Sequence, residues 1–310
     1  MNTASLTIVL PLFGIMLAGF LAGRFKLLIE GSSAILSRFV FIVSLPALIF
    51  VSLARVPVVE FFNWPFLGAL GGGMLITFLL GLLVARLFFP DTLTAHGLHA
   101  LTAMYSSTGY IGLPVILLVF GDIALVPGLI GAVITGALFL PLGIILAEVD
   151  RNHDGGRVVL TPLLGVLRNP ILIATATGLT TSAAGMTIPG PAITFFELLG
   201  GAFIPCALFS AGLFIAGCAI KGEAVEISWL VFAKLLLHPL ITWWLAYRVF
   251  ELEGILPAIA VIQAALPSGV PVFVLAQQYH SFVTRSSTVI VISTALSILT
   301  LSGLLVFLEY

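Results

Sequence analysis

Two apolar runs in this chain, each long enough to cross a bilayer, are interrupted by residues that an α-helix does not accept in its interior. The first interruption is Ser106-Ser107-Thr108-Gly109-Tyr110-Ile111-Gly112-Leu113-Pro114. The second, some 160 residues later, is Pro267-Ser268-Gly269-Val270-Pro271. Glycine weakens a helix entropically, proline removes a donor and clashes with the preceding turn, and serine and threonine hydroxyls compete for backbone hydrogen bonds. In lipid no water replaces the bonds so lost, and each stranded N–H or C=O costs several kcal/mol. Such breaks are tolerated where they line a cavity or are held by neighbouring protein. The pattern therefore predicts that the two interruptions meet and form a binding site, which the other helices hold and move.

The surrounding chain supports a membrane setting. Of its 310 residues 60% are hydrophobic and 8% charged, with a mean hydropathy of +1.25. Soluble domains carry roughly 25% charged residues. The apolar runs are continuous, not alternating as in a transmembrane β-barrel, so the fold class is an all-α polytopic membrane protein. A net charge of −1 gives no basic patch for nucleic acid. Cys206 and Cys218 fall on one predicted helix, about 18 Å apart along its axis, too far for a disulfide; both read as buried small hydrophobes. No Lys or Arg precedes the first apolar run, so that run is expected to be a retained helix and not a cleaved signal peptide.

At about 20 apolar residues per span, ten spans are predicted, at 5–23, 34–53, 65–88, 97–120, 124–147, 163–181, 193–219, 227–250, 256–279 and 286–308. With both termini outside, Arg24, Lys26, Arg38, Arg86, Arg151, Arg157, Arg168, Lys221, Lys234 and Arg285 fall inside, and only Arg55 and Arg248 outside. That bias follows the positive-inside rule, and one missing span would scramble it. The most polar connection, around 148–168, separates two groups of five. Residues 1–148 read as a first five-helix repeat, 149–162 as a cytoplasmic connecting loop and 163–310 as a second repeat. An odd number of spans inverts the second repeat. Faint traces of duplication agree: Pro46–Phe50 (PALIF) with Pro205–Phe209 (PCALF), Leu75–Leu80 (LITFLL) with Leu240–Leu245 (LITWWL), and Gly109 with Gly269, at offsets of 159, 165 and 160. Inverted repeats with paired broken helices are a property of secondary transporters, and the breaks mark the substrate site.

If the breaks in spans 4 and 9 cross, two helix N-termini near Leu113 and Val270 point into one cavity and favour an anion. Ser106, Ser107, Thr108 and Ser268, with the Gln263 amide, add neutral donors, and the opposed helix ends present carbonyls that suit a cation. Gly109, Gly112, Pro114, Pro267, Gly269 and Pro271 complete the candidate substrate-binding set. Pro46 and Pro205 are expected to be packing kinks near the site. No Asp or Glu lies near the middle of a span, which argues against a buried carboxylate site for sodium or protons. His99 and Glu197 lie near span ends, Lys234 is expected to extend its ammonium toward the surface, and His238 to be a hydrogen-bonded packing residue. Gly68, Gly71, Gly72 and Gly73 read as a helix-packing face. No His/Glu cluster, HExxH or paired aspartates suggests a metal, a cofactor or an enzyme.

Thr108–Pro114, the run Ala264-Ala265-Leu266-Pro267-Ser268-Gly269 and the stretches Phe273–Tyr279 and Ser293-Thr294-Ala295 resemble the motifs of the auxin efflux carrier family, as do Pro205–Phe209 and the Lys234…Pro239 pattern. This family includes plant auxin exporters and bacterial carriers described for malonate or malate. The resemblance covers essentially the whole chain and implies ten helices in two inverted five-helix repeats, with crossover helices 4 and 9, as in bile-acid symporters and sodium–proton antiporters. It implies a scaffold of helices 1, 2, 6 and 7 that dimerises, and a transport domain of helices 3–5 and 8–10. The function it implies is elevator-type secondary transport of a small organic anion across the cytoplasmic membrane, with a proton or sodium as coupling ion. A sodium-coupled symporter of the bile-acid type is the alternative. Members commonly carry Asn where this chain has Ser107; a hydroxyl cannot supply the amide's paired donor and acceptor, so specificity is expected to reside there.

Overall fold

The computed structural model describes residues 3–151 and 168–308, with side chains from Leu10 onward. Among the described residues the protein is built from helices, named here α1 (Thr3–Arg24), α2 (Ser32–Leu53), α3 (Trp64–Phe88), α4 (Leu93–Met104), α5 (Thr108–Phe120), α6 (Asp122–Arg151), α7 (Pro170–Ala183), α8 (Gly190–Ala216), α9 (Ala224–Val249), α10 (Leu256–Ala265), α11 (Val270–Gln278) and α12 (Val283–Phe307). Six are long and apolar enough to cross a membrane: α2, α3 with the short turn Val58–Phe61 before it, α6, α8, α9 and α12. Within α1, Leu10–Arg24 forms a shorter apolar helix, as do α5 and α10. The predicted start of the sixth span and residues 152–162 of the connecting loop lie outside the described residues, while α6 stays helical to Arg151.

Several helices contain a widened π turn, and its position follows a rule. In α2, α5, α6 and α9 the turns Val40–Ser44, Thr108–Gly112, Thr135–Phe139 and Ala233–Leu237 each stop two residues before a proline, at Pro46, Pro114, Pro141 and Pro239. Proline supplies no N–H and its ring collides with the carbonyl four residues back. Widening the preceding turn to an i→i+5 bond lets the chain pass the ring without leaving the helix. The kink expected at Pro46 therefore takes the form of a π turn. A fifth π turn, Leu245–Val249 at the end of α9, has no proline behind it.

Packing relies on close backbone approach. A Cβ on Gly19 would fall on the Phe209 carbonyl, and one on Gly212 would fall on the Met16 carbonyl and 2.7 Å from the Phe20 nitrogen, so α1 and α8 touch backbone to backbone. On α3, Gly68 lies against the Phe250 ring, Gly72 against Leu245 and Gly73 against Thr242 of α9, as expected for a packing face; Gly71 faces open space and takes no part. Cys218 lies beyond the end of α8, not on it, because the helix stops at Ala216–Gly217; both cysteines are half-buried free thiols. At the end where α4, α9 and α12 meet, buried His99 and Glu226 are 2.9 Å apart, and Arg285 reaches Glu226 at 3.2 Å and Asp91 at 2.6 Å. Partial burial pushes the Asp91 carboxyl up, but the Arg285 hydrogen bond and charge outweigh it and hold the group below its ordinary range.

The α1–α8 contact leads to a graded prediction. Gly212→Val forces its Cβ into the α1 backbone and should cost more than the roughly 1–3 kcal/mol typical of overpacking, seen as a clear fall in Tm of the detergent-purified protein. Gly14→Ala, on the same helix α1 but facing open space, should leave Tm unchanged or raise it slightly.

Candidate functional site

The two predicted breaks are gaps between helices, α4 to α5 and α10 to α11, and they are bonded to each other. Ser106 and Ser268 face one another in an isolated antiparallel β-bridge. The Ser107 N–H donates to the Pro267 carbonyl at 2.9 Å, and the Gly269 N–H donates to the Tyr105 carbonyl at 2.9 Å. Pro267 and Gly269 flank the bridge for different reasons: proline stops α10 and leaves its own carbonyl free to accept, while any Cβ on Gly269 would sit 2.9 Å from the Tyr105 ring. Side chains brace the same point. The Ser268 N–H donates to Ser293 Oγ at 3.2 Å, and the Ser268 hydroxyl donates to the Thr102 carbonyl at 3.2 Å.

Past the bridge the chain turns into α5. The N–H groups of Ile111 and Gly112 share the Ser107 carbonyl, each at 3.0 Å, and the Thr108 N–H donates to the Ser106 carbonyl at 2.8 Å. Among the described residues nothing accepts from the N–H groups of Gly109 and Tyr110, or from that of Val270 at the start of α11. The Ser106 hydroxyl is buried and, among the described residues, has no partner.

A cavity of about 1020 Å³ adjoins these unserved donors. Its inner end is lined by buried Tyr105, Ser106, Ser107 and Thr108 and by half-buried Gly109, Val270 and Pro271. Leu45 of α2, Leu140 of α6, Phe214 of α8 and Phe273 of α11 give it apolar walls, and exposed Arg24, Lys26 and Arg38 stand at its open end with Glu30. Chemically this is a pocket with neutral donors at the bottom, hydrocarbon along the sides and mostly positive charge at the entrance. It suits an anion with some apolar surface.

Five of the candidate residues, Ser106, Ser107, Thr108, Gly109 and Pro271, therefore line the cavity. The other six lie behind it. Gly112 packs on Leu266, leaving no space for a side chain. Pro114 is buried in the first α-turn after the π turn. Pro267, Ser268 and Gly269 build the bridge. The Gln263 amide donates to the Pro127 carbonyl at 2.9 Å, also reaches the Gly128 carbonyl at 3.4 Å, and lies directly on Gly131, which it leaves no room to carry a side chain. Sequence reasoning missed Asn169, which lines the cavity and caps α7 by accepting from the Ile171 N–H at 2.9 Å; the pair Asn169-Pro170 is a helix-start signal that marks it. One reading is corrected outright. Lys234 does not extend to the surface: it is fully buried, because its ammonium is bonded inward to the Ala264 carbonyl at 2.6 Å.

Comparison with known proteins places these features in context. The model of a family described as membrane transport protein matches residues 4–155 and 156–305. A Rhizobium meliloti protein named "Putative malonate transporter" is 31% identical over 307 residues, covering 96% of this chain and 94% of the relative. The "Uncharacterized transporter YfdV" of Escherichia coli K12 is 27% identical over 295 residues, covering 94% and 92%. An "Uncharacterized transporter" of Methanothermobacter thermautotrophicus is 28% identical over 305 residues, covering 94% and 95%.

The two motif glycines should respond differently to the same change. Gly269→Ala pushes a methyl into the Tyr105 ring and should destabilise the protein by about 1–3 kcal/mol. Gly109→Ala meets only Leu45 at 3.6 Å and Ala132 at 4.0 Å, ordinary contact, and should melt with the wild type. Thermal unfolding followed by intrinsic fluorescence distinguishes them.

Proposed function

The chain belongs to the membrane transport protein family, that of the auxin efflux carriers, and on that premise we propose that it is a secondary carrier that moves a small organic anion across the cytoplasmic membrane by elevator-type alternating access. It is a transporter and not an enzyme. The observation that carries the finer reading is the bottom of the cavity, where the N–H groups of Gly109, Tyr110 and Val270 and the Ser106 hydroxyl lack partners among the described residues. Donors left unserved inside a membrane protein are costly unless a ligand takes them, and a carboxylate at two converging helix starts meets both hydrogen bonds and favourable dipoles.

The position of the cavity supports the division of labour. One side is formed by α1, α2, α7 and α8, the proposed scaffold; the other by the break before α5, by α6 and by α11, parts of the proposed transport domain. On this reading the architecture is ten spans in two inverted repeats, with α4–α5 and α10–α11 as the broken pair. Arg24, Lys26 and Arg38 at the open end belong to the side assigned to the cytoplasm by charge, so this conformation faces inward, with both termini outside and a homodimer formed through the scaffold. Malonate, the substrate in the name of the Rhizobium relative, fits the proposed class, while the apolar walls leave room for a larger anion. Among the described residues only Glu30, at the entrance, contributes a carboxylate to the cavity lining, which disfavours the sodium-symporter alternative.

Counterflow in proteoliposomes, run with malonate, malate and indole acids, tests the proposal. At least one should exchange saturably, and Gly109→Leu, which fills the inner end, should abolish exchange while the protein still purifies folded. Ser106→Ala should weaken apparent affinity about tenfold to a hundredfold, the loss of one charge-assisted hydrogen bond. Undiminished exchange by both variants places the site elsewhere, and exchange that does not saturate indicates a channel.

A further inference from the structure

Asn169 stands half-buried at the start of α7 and lines the cavity from the side formed by α1, α2, α7 and α8. Its Oδ1 caps α7 by accepting from the Ile171 N–H at 2.9 Å. A cap needs only an oxygen, and Ser or Asp serves a helix start about as well. Asn also brings an NH2 group. Among the described residues nothing accepts from that group. It lies beside α6, where a Cβ on Gly136 would meet Asn169 Nδ2 at 4.0 Å and Ile171 Cδ1 at 3.9 Å, both ordinary contacts. The cap therefore accounts for the oxygen of this amide and leaves its donor over.

Depth and spacing give that donor a use. Gly136 lies at the middle of the 30 residues of α6, so the Asn169 amide sits far from either end of that span. Ala132, Gly136, Leu140 and Ile144 follow one another at four-residue steps along α6 and all line the cavity. A Cβ on Gly109 would lie 4.0 Å from Ala132 Cβ. The break with its unserved N–H groups thus rests over Ala132 and the Asn169 amide over Gly136, about one turn or 6 Å apart along α6. A short dicarboxylate has that reach: with N–H···O bonds of about 2.9 Å at each end, an acid of three or four carbons touches both. One carboxylate accepts about four hydrogen bonds, and the N–H groups of Gly109, Tyr110 and Val270 with the Ser106 hydroxyl supply that number. A second carboxylate left against Leu45 and Leu140 would lose hydration for nothing. The Asn169 NH2 offsets part of that loss through a charge-assisted bond.

We propose that Asn169 is a specificity-determining residue: its NH2 holds the second carboxylate of a short dicarboxylate whose first carboxylate takes the donors at the break. The inference rests on the reading of this cavity as the anion site of a carrier. On that reading α7 belongs to the scaffold and the break to the transport domain. A dicarboxylate then bridges the two bodies, which a monocarboxylate does not, and it must release Asn169 before the transport domain travels.

The test measures binding to purified full-length protein by titration calorimetry, with malonate and succinate against acetate and propionate. The wild type should bind the better dicarboxylate at least about tenfold more tightly than either monocarboxylate. Asn169→Ser keeps an oxygen for the cap and removes the NH2. It should melt with the wild type and lose about tenfold to a hundredfold in dicarboxylate affinity, so that the preference collapses. Asn169→Asp also keeps the cap but sets an oxygen against the second carboxylate, and should weaken dicarboxylate binding further. Asn169→Ala loses the cap as well and should melt a few degrees lower, which separates the structural role of the residue from its role in binding. A wild type without a preference for either dicarboxylate, including one that binds none of the four acids, overturns the proposal. So does an Asn169→Ser protein that keeps the preference. If Asn169→Ser does not purify folded, Asn169→Asp decides: a lost preference supports the proposal and a retained one overturns it. Failure here, with saturable exchange of any organic anion, leaves the carrier reading standing. A collapse of preference in Asn169→Ser without exchange in proteoliposomes overturns the carrier reading and leaves the subsite.

Discussion

Every helix end strands backbone donors and acceptors, and within lipid no solvent is available to take them up. This protein has four such ends drawn to one place, those of α4, α5, α10 and α11. It meets the constraint by letting the two gaps serve each other through the Tyr105–Gly269 and Ser107–Pro267 bonds. The serines brace the junction through Thr102 and Ser293. Among the described residues, the N–H groups of Gly109, Tyr110 and Val270 and the Ser106 hydroxyl remain without partners at the bottom of the cavity. The donors at the site are therefore those that the pairing between the two gaps leaves over, and the residues behind the bridge decide which they are.

Much of this was legible in the residues, and the limits of that reading have physical causes. Glycine and proline within apolar runs located both gaps, because backbone chemistry leaves a compositional mark. The family was legible for the same reason, since its motifs are the breaks themselves. Which candidates face the cavity was not legible: Gln263 looked like a donor for substrate, yet its amide is taken by Pro127 and Gly128 across a helix contact that only tertiary structure creates. Lys234 was misread because a long basic side chain near a span end ordinarily reaches for water, and nothing local reveals a helix terminus of α10 waiting thirty residues away in sequence. The π turns were legible in principle, since four of them precede a proline by the same spacing.

Rigid and adjustable contacts are separated within the molecule. The α1–α8 contact is made backbone to backbone through Gly19 and Gly212 and tolerates no sliding. The cavity, by contrast, is bounded by the side chains of Leu45, Leu140, Phe214 and Phe273, which can change rotamer. On the proposed elevator reading, displacement would run along the cavity and not across the α1–α8 pair.

The bridge has a further consequence during synthesis. Its two strands come from opposite halves of the chain, Tyr105 to Ser107 and Pro267 to Gly269. While the ribosome is still making the second half, the first gap has already entered the membrane with its polar backbone unmatched. The nascent protein must shelter that segment, at the insertion machinery or in transient contact with a neighbour, until its counterpart emerges some 160 residues later. A truncated chain that ends before Pro267 never acquires the match, and it presents quality-control proteases with a membrane protein whose defect is written in its main chain.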